Sequence, residues 1–393
     1  KKTTDYYKLD QLKPAYRVFT NTEHHDIKSV NDGGLQLFED LEPGSAKKMK
    51  QLLAKTEDEY NRVRQSLLEK DYSSSLDLID PKILSFLKQP ELVRSYHTRI
   101  KKTVSNEDLQ KILEFMVVFM GGSPKNIPAV YSLLSHVDFN LGIWYPHGGF
   151  SVVVKAFEKL AKSLGVKFVY NAEVKHISVE NHKAKSFIVN GQMQYADIVV
   201  ANADYHFVET KLLDKKDQTY PKKYWSKKTL SPSGLMIYLG INKKVPGLLH
   251  HSMFFDADWH GHFDQVFNKK TWVTRPLFYV STPSKTDSTV APEGKENIFI
   301  LVPVANGLKY DKAHKQELIE SIIARIESRI GSKFAENIEF IDIKDQEYFE
   351  ESFNAYKGNA FGLAHTLTQT AMFRPKMQSK KVNNLYFVGQ YTN

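Results

Sequence analysis

Residues 144–204 decide the fold: Trp144-Tyr145-Pro146-His147-Gly148-Gly149, the run 151–164, and Val199-Val200-Ala201-Asn202-Ala203-Asp204. The paired glycines permit a tight turn and leave free amides at the start of a helix. The apolar spacing of 151–164 predicts an amphipathic helix stopped by Gly165. Segments 166–170, 174–179 and 185–189 read as strands, with a hairpin turn at Asn190-Gly191. Residues 197–201 form a last apolar strand that empties into small residues, where backbone can approach a flat or phosphate-bearing ligand closely. Read without context, the same features equally describe a helix-starting loop and a buried strand that ends at an Asp204 cap.

Downstream, 234–240, 277–281 and 298–304 read as strands and 312–330 as a long helix. The strand 385–388 is followed by Gly389, and open α/β sheets bind ligands at such strand ends. Upstream, 16–19 and 35–38 read as strands around the Asp32-Gly33-Gly34 turn, and 46–68 as a helix. Residues 76–120 read as several helices, and the apolar run 112–120 is too short to cross a bilayer. The pattern is α/β.

Composition narrows the chemistry. The 393 residues contain no cysteine, which excludes disulfides, thiolate metal sites and cysteine nucleophiles. Fourteen histidines show no metal-ligand spacing, and no G-x-S-x-G is present, so neither a metal nor a serine hydrolase is expected. The net charge of +9 is spread as short lysine pairs, which argues against a nucleic-acid partner. None of the 20 glycines forms G-x-G-x-x-G.

Ordered segments along nearly the whole chain resemble the bacterial-type phytoene desaturase family, a branch of the amine-oxidase-like flavoproteins. They include Met120-Gly121-Gly122-Ser123-Pro124, Gly142-Ile143-Trp144-Tyr145-Pro146-His147-Gly148-Gly149 and Ala201-Asn202-Ala203-Asp204. Further on come Pro283-Ser284-Lys285-Thr286-Asp287, Ala291-Pro292-Glu293-Gly294, Phe373-Arg374-Pro375 and the strand ending at Gly389.

The resemblance implies a discontinuous Rossmann-like FAD domain, incomplete here, with a mixed-sheet and helical substrate domain. The expected division is 1–144 for the substrate and helical membrane-contact part, 145–210 for FAD, 211–354 for substrate and 355–393 for FAD. By the same resemblance Gly148, Gly149, Val174, Ala201, Asn202, Ala203 and Gly389 would bind FAD. No catalytic acid or base is assigned, Asp138 and His365 being candidates that also suit structural roles. The family's glycine-rich opening and its closing helix would then lie outside the 393 residues, and the chain alone is expected to hold FAD weakly.

The activity implied is FAD-dependent desaturation of a C40 or C30 carotenoid precursor such as phytoene. Such an enzyme would sit in the cytoplasm, peripherally on the inner face of the cell membrane, with the apolar helices of 76–120 as its contact surface. Rival readings are a carotenoid cis–trans isomerase or end-group oxygenase of the same superfamily, a non-catalytic polyene- or lipid-binding protein, and a generic amine oxidase.

Overall fold

A computed structural model describes residues 2–64, 94–309, 311–370 and 373–392. Fourteen strands are described: β1 Leu9–Gln11, β2 Tyr16–Phe19, β3 His24–Ile27, β4 Trp144–Pro146, β5 Val174–Glu180, β6 Lys183–Val189, β7 Gln192–Tyr195, β8 Val199–Ala201, β9 Ser233–Ile241, β10 His251–Phe254, β11 Phe278–Ser281, β12 Glu296–Val304, β13 Ile338–Lys344 and β14 Leu385–Phe387. The longer helices are α1 Leu35–Leu41, α2 Ser45–Val63, α3 Tyr96–Thr103, α4 Glu107–Glu114, α5 Phe150–Ser163, α6 Lys312–Ile330 and α7 Gln346–Phe353.

A seven-stranded mixed sheet runs β13-β9-β12-β11-β10-β2-β3. Its neighbours are antiparallel except β10 and β2, which are parallel. Period-two alternation sends Leu235, Ile237 and Leu239 of β9 and Ile298, Ile300 and Val302 of β12 to one face, all buried. The same face is covered by α6, whose Leu318, Ile319, Ile322, Ile323 and Ile326 fall on one helical stripe. The opposite face presents Met253, Tyr279, Leu301 and Met236, which register places side by side across β10, β11, β12 and β9. A second core joins Tyr16, Ile27 and Met253 of the sheet to the helical segments α1–α4 and residues 115–117.

Three smaller sheets complete the architecture: β1 with β4, the meander β5-β6-β7, and the parallel pair β14-β8. Asn190 and Gly191 both take positive φ, 49° and 77°, so the expected hairpin turn forms with the hand that suits twisted strands. A third core packs Ile177, Tyr205, Trp225 and Leu385 behind the parallel pair.

Three expectations fail. Residues 35–38 lie in the helix α1, because the apolar set Leu35, Leu37, Phe38 and Leu41 packs one helical face onto the core where the pair Leu35/Leu37 suggests strand alternation. Residues 166–170 form no strand; Val166, Phe168, Val169 and Tyr170 are exposed, and no described neighbour offers them a hydrogen-bonding edge. The apolar run 112–120, part of the stretch read as helices, leaves the α-helix at Phe115 for a tighter 3₁₀ turn that ends at Gly121, whose φ is 69°.

The membrane-contact surface expected of 76–120 falls partly outside the described residues. Within the described part, Tyr96, Ile100, Leu109, Ile112, Leu113, Phe115 and Val117 are buried in the core and present no outward apolar face. Among the described residues no helix is long and apolar enough to cross a membrane, and no group of three His, Cys, Asp or Glu side chains could hold a metal ion.

Candidate functional site

The parallel strands β8 and β14 pair Val199 with Leu385, Val200 with Tyr386 and Ala201 with Phe387, so both end at the same level. The ladder continues one step, with the Val388 amide donating to Ala201 O at 3.0 Å. The Asn202 amide group then donates to Val388 O at 3.1 Å. Gly389 follows with φ 112°, and a Cβ there would lie 3.0 Å from Asn202 Nδ2. Only glycine seats at that point without strain. Asn202, Ala203 and Gly389 are exposed and Ala201 half-buried, so the two strand ends are open to solvent.

The strand ends are held from behind. Asp204 caps the next turn by accepting from Phe207 N at 2.9 Å, and takes Tyr356 N at 3.2 Å. Its carboxyl is pushed up by burial. The buried Arg374 spends its guanidinium on four carbonyls: Thr392 O at 3.0 Å, Gln390 O at 2.5 Å, Gln369 O at 3.3 Å and Leu363 O at 3.4 Å. This clamp fixes the loop after Gly389. Val174 opens β5 half-buried and packs on the same core as Val199 and Ala201. The helix α5 buries no residue: Phe150, Val154 and Phe157 are each about two-thirds exposed or more, and Ile198, Val200 and Val388 are also exposed.

Gly148 and Gly149 are held elsewhere, on a turn tied to the large sheet. Their φ values are 89° and 84°, and a Cβ on Gly148 would lie 2.8 Å from Val152 Cγ1. Gly148 N donates to Asp287 Oδ2 at 2.6 Å, and Tyr145 OH donates to the same oxygen at 3.3 Å. Asp287 Oδ1 accepts from Thr289 N at 2.9 Å and Thr289 Oγ1 at 2.6 Å. Burial works to raise the Asp287 carboxyl, but the bonds from Thr289 and Gly148 outweigh it and hold it down at about 2. His147 bridges outward, with Nδ1 2.9 Å from Asp10 Oδ2.

Tyr145 also meets His250, ring centres 4.5 Å apart, and His250 meets His251 at the same distance. His251 Nδ1 lies 2.6 Å from Tyr279 OH. Burial lowers His250 to about 4 and His251 to about 3, so both imidazoles are neutral at pH 7.

Tyr279 opens onto a cavity of about 60 Å³ between the sheet face opposite α6 and the second core. Phe115, Val118, Met253, Phe255, Trp259, His262, Phe263, Leu277, Phe278, Leu301 and Pro303 line the rest. Behind Phe115 stands Tyr16, with ring centres 5.2 Å apart, and Tyr16 OH donates to Asp138 at 2.7 Å. Asp138 is therefore one side chain removed from the cavity wall. Its burial pushes the carboxyl up to about 7, with the Tyr16 hydrogen bond pulling the other way. His365 is also held by side chains, its Nδ1 2.9 Å from Tyr131 OH, and burial lowers it to about 4.

Of the seven cofactor candidates, Ala201, Asn202, Ala203 and Gly389 come together, Val174 shares their core, and Gly148 and Gly149 belong to the sheet-side turn. Asp287, Tyr279, His262 and Arg374 escape a reading of the sequence as site residues. Gly148 and Asp287 are separated by 139 positions, and no periodicity links them.

The model of the flavin-containing amine oxidoreductase family matches residues 6–393. The chain is 36% identical to a carotenoid 3,4-desaturase of Haloarcula japonica over 394 residues, covering 100% of this chain and 80% of that one. It is 32% identical to a zeta-carotene-forming phytoene desaturase of Myxococcus xanthus, covering 99% of this chain and 75% of that one. Among solved structures, a putrescine oxidase bound to putrescine matches with TM-score 0.56 at 14% identity, over 97% of this chain and 77% of that one. A cyclohexylamine oxidase of Brevibacterium oxydans matches with TM-score 0.56 at 9% identity, over 98% and 77%. At such identities the structural likeness speaks for the fold alone.

Proposed function

This chain belongs to the flavin-containing amine oxidoreductase family, and we propose that it desaturates a carotenoid, acting with FAD on CH–CH bonds of an acyclic C40 or C30 polyene. The observation that carries the reading is the likeness to desaturases across the whole chain, met by a cavity walled almost entirely by hydrocarbon. Desaturation of a CH2–CH2 unit beside a polyene sends a hydride equivalent to an electron acceptor and a proton to a base or solvent, and needs no nucleophile or metal. FAD supplies that acceptor when bound.

The residues at the strand ends fit a flavin dinucleotide. Gly389 leaves a cradle that a Cβ would fill, and outward-facing backbone at two parallel strand ends is where open α/β sheets take such ligands. We place the cofactor along Ala201, Asn202, Ala203 and Gly389. Val174 stands on the side of the meander, and the Gly148-Gly149 turn, held by Asp287, would meet the cofactor from the large sheet. Arg374 keeps the Gln390–Thr392 carbonyls in place, and the row Met253, Tyr279 and Leu301 offers the polyene a dry surface. Exclusion of water there prevents side reactions of the activated chain.

A polyene of this class lives in lipid, so we place the enzyme peripherally on the cytoplasmic face of the cell membrane. The net charge of +9 suits an anionic headgroup layer. The test is incubation of the FAD-loaded enzyme with C40 and C30 acyclic polyenes, followed by mass analysis. Products lighter by two hydrogens per step support the reading. Unchanged mass with altered double-bond geometry, or a gain of oxygen, would replace it with isomerase or oxygenase activity.

A further inference from the structure

The sheet face opposite α6 carries a second row beside Met253, Tyr279 and Leu301. Register sets His251, Ser281, Phe299 and Tyr238 side by side across β10, β11, β12 and β9. Rings link the two rows into one track: His251 to Tyr279 at 5.7 Å, Tyr279 to Phe299 at 6.3 Å and Phe299 to Tyr238 at 5.0 Å. His251, Tyr279 and Phe299 are half-buried and Tyr238 is exposed, so the second row is not sealed by the core. From His251 the contacts lead through His250 to Tyr145, whose OH lies 3.6 Å from where a Cβ on Gly149 would stand. A flat apolar track thus begins beside the turn that would meet the cofactor.

His251 is the imidazole of this track. Its Nδ1 is held by the Tyr279 hydroxyl at 2.6 Å, and its Nε2 has no partner among the described residues. His250 is set back, buried under Tyr145 with Nδ1 2.9 Å from Thr286 Oγ1. Burial, with His250 adding to it, keeps the His251 ring unprotonated, so a lone pair is available at pH 7. Loss of hydride beside a polyene leaves an allylic cation, a strong carbon acid for which a weak base suffices.

We propose that His251 is the base of the desaturation, its Nε2 taking the proton from the carbon next to the one that gives up hydride. One C–H bond breaks with its electron pair leaving for the acceptor. The neighbouring C–H bond breaks with its pair becoming the new π bond and its proton going to Nε2, from which solvent removes it. In this role Nδ1–H donates to the Tyr279 oxygen, which fixes the ring and leaves the lone pair on Nε2. The inference rests on the desaturase reading and assigns its proton acceptor.

Two measurements test it. Diethyl pyrocarbonate, which acylates neutral imidazole nitrogens, is applied to the FAD-loaded protein with and without an acyclic polyene, and the modified peptides are weighed. His251 should react in the free protein and be protected about tenfold at a polyene concentration of about ten Kd, with the exposed His24 and His182 unchanged. Reduction of the flavin by the polyene is then followed without oxygen. His251→Asn keeps a partner for Tyr279 and removes the base, so reduction should slow about a hundredfold while polyene affinity stays within about threefold. Added imidazole should restore part of the rate. A His251 that polyene does not protect, or a His251→Asn protein that reduces its flavin within about threefold of the parent rate, overturns the inference and leaves the desaturase reading intact. If no polyene reduces the flavin of the unsubstituted protein, both fall. Should His251→Asn fail to fold, protection measured on the unsubstituted protein decides alone.

Discussion

Asp138 shows how a residue that invites a catalytic reading is placed for another task. Its carboxyl is buried beside Tyr16, and burial raises it to about 7. The folded state therefore binds a proton that the unfolded chain releases near pH 4. The stability this group contributes is complete below pH ~4 and is lost as pH rises through ~7, on the order of 4 kcal/mol in all. Asp138→Asn should flatten the fall in melting temperature between pH 5 and 8. Glu209, raised to about 7 by burial, retains a share of the slope. Desaturation by the variant should stay within about threefold of the parent, since the side chain does not reach the cavity. An unchanged slope contradicts this account. Gly389 is the opposite case, legible from the sequence as the glycine that ends a buried strand. Gly389→Ala forces a Cβ against Asn202 in a left-handed conformation. It should weaken FAD binding at least tenfold, read by equilibrium dialysis of flavin, while the rest of the fold keeps its circular dichroism. Arg374 stayed invisible because its role depends on which carbonyls the folded loops leave in need of a donor, and a sequence does not list that.

At the scale of elements, the strands and helices that bury a face were readable and those without a partner were not. The helix α6 was read with the bounds Lys312–Ile330, because its isoleucine and leucine stripe meets a sheet whose own alternation is unbroken. Residues 166–170 carry a strand composition yet stay exposed, since β-propensity is mostly the benefit of packing on a pleated neighbour. The turn before α5 was read from its glycines, but what fixes it is Asp287, on a loop from the other side of the molecule. Asp287→Asn exchanges an acceptor of four bonds for a group that cannot accept them all, and should destabilise the protein by about 3 kcal/mol. Hydrogen exchange should quicken at Gly148 and through the first turn of α5 and stay unchanged in α6. Equal protection of the α5 amides in both proteins would show that the turn holds without its carboxylate.

Taken whole, the molecule carries two surfaces of different character. One is the pair of parallel strand ends at Ala201 and Gly389, where backbone is exposed. The other is the face of the mixed sheet opposite α6, with Met253, Tyr279 and Leu301 in a row. The Asp287 network ties the loop after β11 to the turn that starts α5. A soluble amine would find little on this sheet to recognise its charge, whereas a polyene finds an apolar track. That contrast allows one decisive measurement. FAD-loaded enzyme is held without oxygen, and an acyclic carotenoid precursor or a soluble amine is added while the absorbance of the oxidised flavin is followed. The account predicts that the polyene bleaches the flavin and that the amine does not. Bleaching by the amine, with the flavin untouched by the polyene, would contradict it.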